Sequence, residues 1–185
     1  MAKNSSDAFT GLEAAIVLIA FVVVAAVFAY VILGAGFFTT QKAQETVYKS
    51  VEQSTTNLLL IGNVYGLASD PTSGIDEIRF SIGLAPGATA VDLTKLKVAF
   101  STPSTTPVIL PLGDNATLTT FSAKDAGAGS SLDSMTPNQQ IEIDFMVAPI
   151  PKNTVMNIEI RPAVGAALPF SKTTPATITN TSVLS

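Results

Sequence analysis

The sequence predicts an α+β chain: a long N-terminal hydrophobic α-helix followed by an Ig-like antiparallel β-sandwich. Three observations predict it. Residues 14–41 carry no Asp, Glu, Lys or Arg over 28 positions. The next stretch, "QKAQETVYKSVEQ", is charged at helical spacing. From residue 62 onward the chain turns to short alternating segments separated by Gly, Pro, Asn and Asp, the pattern of strands and tight turns. The expected divisions are a leader over 1–8, a helix over 9–61 and a sandwich over 62–185.

Residues 1–8, MAKNSSDA, are polar, with a single basic residue, Lys3, and abut the apolar run directly. Removal of this leader would leave the apolar segment on the mature chain, unlike a secretory signal whose apolar part departs with it. The run "AAIVLIAFVVVAAVFAYVIL" is apolar all round and rich in β-branched residues. Propensity alone does not choose helix there. Length and surroundings do, because unpaired backbone groups are costly in lipid. As a helix the charge-free run is roughly 42 Å long at about 1.5 Å per residue, more than the 30 Å or so of a bilayer core. Gly34 and Gly36 are the positions where the helix is expected to bend or be interrupted.

After Phe38, Lys42, Glu45, Lys49 and Glu52 stand three and four apart on one face, while Val47, Val51, Ser54 and Leu58 form another. Gly62 is the expected stop. The whole helix would be roughly 78 Å long, so about half of it lies outside a membrane and needs partners for its apolar face.

In the remainder, "IDEIRFSIG" sets Ile78, Phe80 and Ile82 against Glu77, Arg79 and Ser81, and "KLKVAF" alternates Leu96, Val98 and Phe100 with lysines. "QIEIDFMV" alternates Ile141, Ile143, Phe145 and Val147 with Glu142 and Asp144, and "VMNIEIR" repeats the theme. Turn signals "APGA", "LGDN" and "MTPNQ" separate the strands, and "KDAGAGSSLDS" reads as an exposed loop. Several strands without intervening helices indicate a β-sandwich.

Composition removes whole classes of function. The chain has no Cys and no His, so zinc sites of the usual Cys/His kind, His-dependent triads and disulfides are excluded. Residues 62–185 hold 7 basic and 10 acidic side chains, a net charge of −3 that lacks the basic footprint of a nucleic-acid partner. Asp70, Asp76, Glu77 and Asp92 have no spacing of a cation loop and read as solvated acids. No matched pair of carboxylates marks a glycosidase-like cleft. The expectation is a chain that is not an enzyme and uses no cofactor or metal.

"FTGLEAAIVLIAFVVVAAVFAYVILGAGFFTTQKAQETV" resembles the N-terminal helix of archaellins, the subunits of the archaeal swimming filament, and "GIDEIRFSIGLAPGATAVDLTKLKVAF" resembles the first strands of their outer domain. The resemblance implies a class III signal, cut by a prepilin-type peptidase between Ala8 and Phe9, with Asp7 standing where such substrates usually carry Lys or Arg. The mature chain would begin "FTGLE", with a Phe start and a fifth-position glutamate that type IV pilins share. It also implies a membrane-inserted stage, then a helical homopolymer, with or without other archaellins, attached to a separate motor and assembly platform. Phe9, Glu13, Ile16, Leu18, Ile19, Phe21, Val24 and Phe28 would form the assembly helix.

Glu13 has two compatible readings. Thr10 and Glu13 in "TGLE" match a capping box at a helix start. Alternatively, cleavage frees an α-amino group on Phe9, and a carboxylate buried in a packed filament needs such a partner. The sequons at Asn115 and Asn180 are candidate glycosylation sites, and the one at Asn4 would leave with the leader. Two other roles share the helix: an adhesion pilin built by the same route, and a permanent anchor for a monomeric surface domain. An anchor does not account for more than five helical turns beyond the membrane.

Overall fold

The computed structural model describes residues 4–185, with side chains from Thr10 onward except Thr55. The chain divides into two compact units, Met1–Lys49 and Ser50–Ser185.

One helix, α1, runs over Asn4–Thr55. It ends six residues before the expected 61. The segment "LLLIG" is instead the start of a strand, and Gly62 lies within that strand at a positive φ of 76° rather than capping a helix. The stop lies at residues 54–57. The side-chain Nδ2 of Asn57 donates to the Ser54 carbonyl at 3.2 Å, and the Thr56 hydroxyl to the Glu52 carbonyl at 2.8 Å. Thr56 is buried and its hydroxyl also meets that of Thr89 at 3.0 Å, so its place in the sandwich ends the helix. At the other end α1 begins ahead of Thr10. The capping-box reading of Thr10 and Glu13 therefore does not hold for the uncut chain, where both residues are interior to the helix.

The second unit is an antiparallel sandwich of strands β1 (Leu58–Leu67), β2 (Ile75–Leu84), β3 (Val91–Asp92), β4 (Lys97–Thr102), β5 (Thr105–Pro111), β6 (Phe121–Asp125), β7 (Ser134–Met135), β8 (Gln140–Ile150), β9 (Val155–Arg161), β10 (Leu168–Thr173) and β11 (Thr181–Leu184). One sheet has the order β11-β1-β2-β8-β6, the other β10-β9-β4-β5, and β3 with β7 forms a small ladder beside them. The alternation expected for β2, β4, β8 and β9 is the alternation observed: Ile78, Phe80 and Ile82, then Val98 and Phe100, Ile141, Ile143 and Phe145, and Met156, Ile158 and Ile160 are all buried. Aromatic rings join the two layers. Phe145 meets Phe100 edge-on at 5.7 Å between centroids, and Phe80 meets Phe170 at 5.3 Å. Backbone bonds between Thr173 and Ser185, at 2.7 and 3.3 Å, tie the β10 edge of one sheet to the end of β11 in the other.

Three aspartates pin the connections. Asp92 caps the 3-10 turn Leu93–Lys95, with Lys95 Nζ at 2.8 Å and the Thr94 amide at 3.0 Å, and these partners lower its pKa to about 2. Asp70 is lowered by hydrogen bonds from Thr72 and Ser73, and Asp125 by Gln139 and by the amides of Gly127 and Ala128. An unfolded aspartate titrates near 3.9. A depressed folded pKa adds stability that is fully present above that value and is lost as pH falls through the folded one. The sandwich is expected to keep a constant melting temperature from neutral pH down to about 4.5 and to lose stability between about pH 4 and 2. Melting curves followed by circular dichroism check this, and Asp92→Asn is expected to remove part of the slope.

Candidate assembly helix

Residues Thr10–Ser54 of α1 are long and apolar enough to cross a membrane, and none of the apolar window is buried. Ile16, Leu18, Ile19, Phe21, Val24 and Phe28 are each between 52 and 72% exposed. They are distributed around the helix at 100° per residue, so the structure brings none of them into a shared pocket. Phe37 and Phe38 continue the same surface, and Val47, Tyr48 and Val51 extend it into the charged half. Tyr48, at 74% exposed, is a large aromatic side chain that the face of Val47, Val51, Ser54 and Leu58 did not single out. Its only sequence signal is an aromatic ring among polar neighbours. Each large side chain gains about 1.5–3 kcal/mol on full burial, so this surface in water would be a strong drive to associate.

The polar atoms of the helix are arranged to tolerate that burial. Thr39 and Thr40 donate their hydroxyls to the carbonyls of Ala35 and Gly36, at 2.8 and 2.9 Å, and Thr46 to that of Lys42 at 2.8 Å. These hydroxyls need no partner from lipid or from a neighbour. The helix continues through Gly34 and Gly36 without interruption. Just past the apolar run, Glu45 accepts from both Lys42 and Lys49 at 2.7 Å, three and four residues away. Exposed pairs of this kind add only a few tenths of a kcal/mol each, so they mark the polar face rather than hold the helix.

Ala8 and Phe9 lie inside α1, with their side chains outside the described residues, as are residues 1–3 of the leader altogether. Glu13 is exposed on the helix near this junction. Asn115 is exposed in the β5–β6 connection, where its carbonyl accepts from the Thr120 hydroxyl at 3.0 Å, and Asn180 is exposed immediately before β11. The four acids weighed as cation ligands are each engaged separately: Asp70 with Thr72, Asp76 with the Ser69 amide, Glu77 with Arg79, and Asp92 with Lys95.

The comparisons with known proteins agree with this architecture. The sequence model described as archaeal-type flagellin matches residues 8–172. "Probable flagellin 1" of Archaeoglobus fulgidus is 37% identical over 197 aligned positions, covering 98% of this chain and 96% of that protein. Among solved structures, the archaeal flagellum of Methanospirillum hungatei strain JF1 superposes with a TM-score of 0.77 at 32% identity, over 95% of this chain and 99% of that one. Flagellin FlaB1 of Methanocaldococcus jannaschii, at 19% identity and a TM-score of 0.60 over 70% of this chain and 96% of its own, shares the fold. A family match spanning most of the sequence, with relatives aligned along nearly their full length, shows that the chain belongs to the archaeal-type flagellin family.

Proposed function

We propose that this flagellin is a structural subunit of the archaeal swimming filament that reaches the cell surface through the membrane, is cut between Ala8 and Phe9, and polymerises through the remainder of α1. The observation that carries the reading is the helix surface itself. From Leu12 to Val51 large apolar side chains are exposed on every side, and this surface belongs to a family whose solved relative is a filament. In the membrane, lipid covers the apolar run. In the filament, neighbouring copies of α1 take the place of lipid. The chain is not an enzyme. Its role is mechanical, and torque and ATP hydrolysis belong to a separate motor and assembly platform.

The processing step is supported by the short polar leader over residues 1–8, which abuts the apolar run directly. A prepilin-type peptidase is the expected partner for it. The cut divides the chain into a leader of 1–8, a core helix from Phe9 to Thr55 and an outer sandwich facing solvent. It also makes Phe9 the new terminus, leaving Thr10 to cap and Glu13 to accept from the freed amine of its own or a neighbouring subunit. Asn115 and Asn180, both exposed, are the positions for N-linked glycans on the finished filament. Nothing in the fold or the kinship favours the adhesion-pilin reading.

The deciding measurement is the intact mass and N-terminal sequence of subunits sheared from cells. A chain starting at Phe9 is the expected result, and one starting at Met1 overturns the processing step.

A further inference from the structure

The outer face of the five-stranded sheet is not uniformly solvated. On β6 and β8, Phe121 and Ala123 face the core with Phe145 and Ile143. The residues that alternate with them, Ser122 and Lys124 on β6 and Glu142 and Asp144 on β8, share the opposite face. Ser122 stands directly across from Asp144, and Lys124 directly across from Glu142. Although they lie on the outer face, Asp144 is 3% and Ser122 1% exposed. A carboxylate buried to this degree is uncommon and demands partners. Its two oxygens have different ones. Oδ1 accepts from the Ser122 hydroxyl, and Oδ2 meets Lys124 Nζ at 3.3 Å. On its other side Asp144 is the cross-strand partner of Arg79, whose Nε lies 3.5 Å from Glu142.

This arrangement is more than an ion pair requires. An amine faces one oxygen of Asp144, a hydroxyl holds the other, and a second carboxylate stands opposite the amine. These are the parts of an acyl transfer: a nucleophile, an electrophilic carbon, a donor for the oxygen on which negative charge develops, and a group to carry a proton.

We propose that Lys124 and Asp144 condense into an intramolecular isopeptide bond that fastens β6 to β8. The ion pair is the reactant. A proton passes from Nζ to Oδ2, giving neutral amine and acid. Nζ then attacks Cγ, and the C–N bond forms while the Ser122 hydroxyl donates to Oδ1 of the tetrahedral intermediate. Glu142 takes a second proton from the nitrogen and returns it to the departing oxygen. The Cγ–Oδ2 bond breaks and one water leaves. One ammonium and one carboxylate become one amide and one water, so the net charge is unchanged and no oxidant or activated co-reactant enters. Free amines and acids in water stay as ions. Two groups held in contact react instead at an effective concentration of about 10⁵–10⁸ M. A buried ion pair also gains little, because removing its charges from water costs about what their attraction returns, whereas the amide carries no charge.

The bond has a use in this fold. β6 is the end strand of its sheet and only five residues long. Among the described residues, β8 is the one strand paired with it, apart from isolated bridges at Leu112 and Ser131. The chain has no cysteine, so no disulfide fastens that edge. The inference stands on these two strands and does not depend on the filament reading.

The test is made on the wild-type chain, so no variant has to fold. Full-length protein is denatured and digested with chymotrypsin, which cuts after Leu132, between the two residues. The peptides are read by tandem mass spectrometry. The expected result is a branched species in which the peptide carrying Lys124 is joined to the peptide carrying Asp144, lighter than their sum by one water. Separate, unmodified peptides at both positions overturn the inference. Lys124→Arg keeps the positive charge but offers no nucleophilic amine, and it is expected to abolish the branched species. A branched species that persists in Lys124→Arg overturns the assignment of the nucleophile. Glu142→Gln is expected to slow its appearance by about 100-fold or more. An unchanged rate overturns the part given to Glu142.

Discussion

Cells carrying Val24→Asp in place of this subunit are expected to have no filaments. Val24 lies near the middle of the charge-free run over 14–41 and is 52% exposed on α1. The substitution acts at both stages of the subunit's life. At the centre of a membrane-spanning helix an aspartate costs about 2.5–3.5 kcal/mol by insertion measurements. In the polymer the same carboxylate is buried among neighbouring helices without a cation, a penalty of several kcal/mol more. About 3 kcal/mol alone is more than 100-fold in an equilibrium constant, and it recurs at every subunit added. Val24→Leu keeps the surface apolar and is expected to assemble normally. The yield of subunit in sheared surface material, together with swimming in soft agar, reads the effect. Normal filament yield from Val24→Asp would show that this part of α1 is not buried in the assembly.

The helix and four of the eleven described strands were legible in the sequence for different physical reasons. The apolar run declares itself by length, because few soluble elements carry 28 residues without a charge. Strands β2, β4, β8 and β9 declare themselves because one face is buried and the other meets water, so apolar and charged residues alternate. Strand β1 has no such signal. Its opening, Leu58 to Ile61, is apolar on both faces, since Leu58 packs in the core while Leu59 lies on the outer face, and it reads as a continuation of the helix before it. Strand β11, only four residues long, is defined by its partner β1 and by the Ser185–Thr173 backbone bonds rather than by its own pattern. The exposed apolar surface of α1 was legible residue by residue because nearly every position of the charge-free run is apolar. The cluster of Ser122, Lys124, Glu142 and Asp144 was not. Its members come from two separate segments, and only the pairing of β6 with β8 brings them together.

Phe145→Ala is expected to be the most damaging single change in the outer domain. Phe145 is fully buried at the crossing of the two sheets, 6.4 Å from Phe80 in its own layer and 5.7 Å from Phe100 in the other, both edge-on. Truncating a buried Phe to Ala costs about 3–5 kcal/mol. Whole domains are stable by only about 5–15 kcal/mol, so the variant sits close to the threshold of folding. The melting temperature of the sandwich is expected to fall by roughly 10–20 °C, at a few degrees per kcal/mol for a unit of this size. Part of the loss belongs to the ring pairs rather than to burial. A cycle with Phe100→Ala is expected to show about 0.5–1.5 kcal/mol of coupling across the layers. Tyr65→Ala is the contrasting case. Its ring is on the outer face, so the melting temperature of the isolated subunit should move by the equivalent of no more than about 0.5 kcal/mol. A large loss of subunit stability from Tyr65→Ala, or near-wild-type melting of Phe145→Ala, would reverse the assignment of core and outer face.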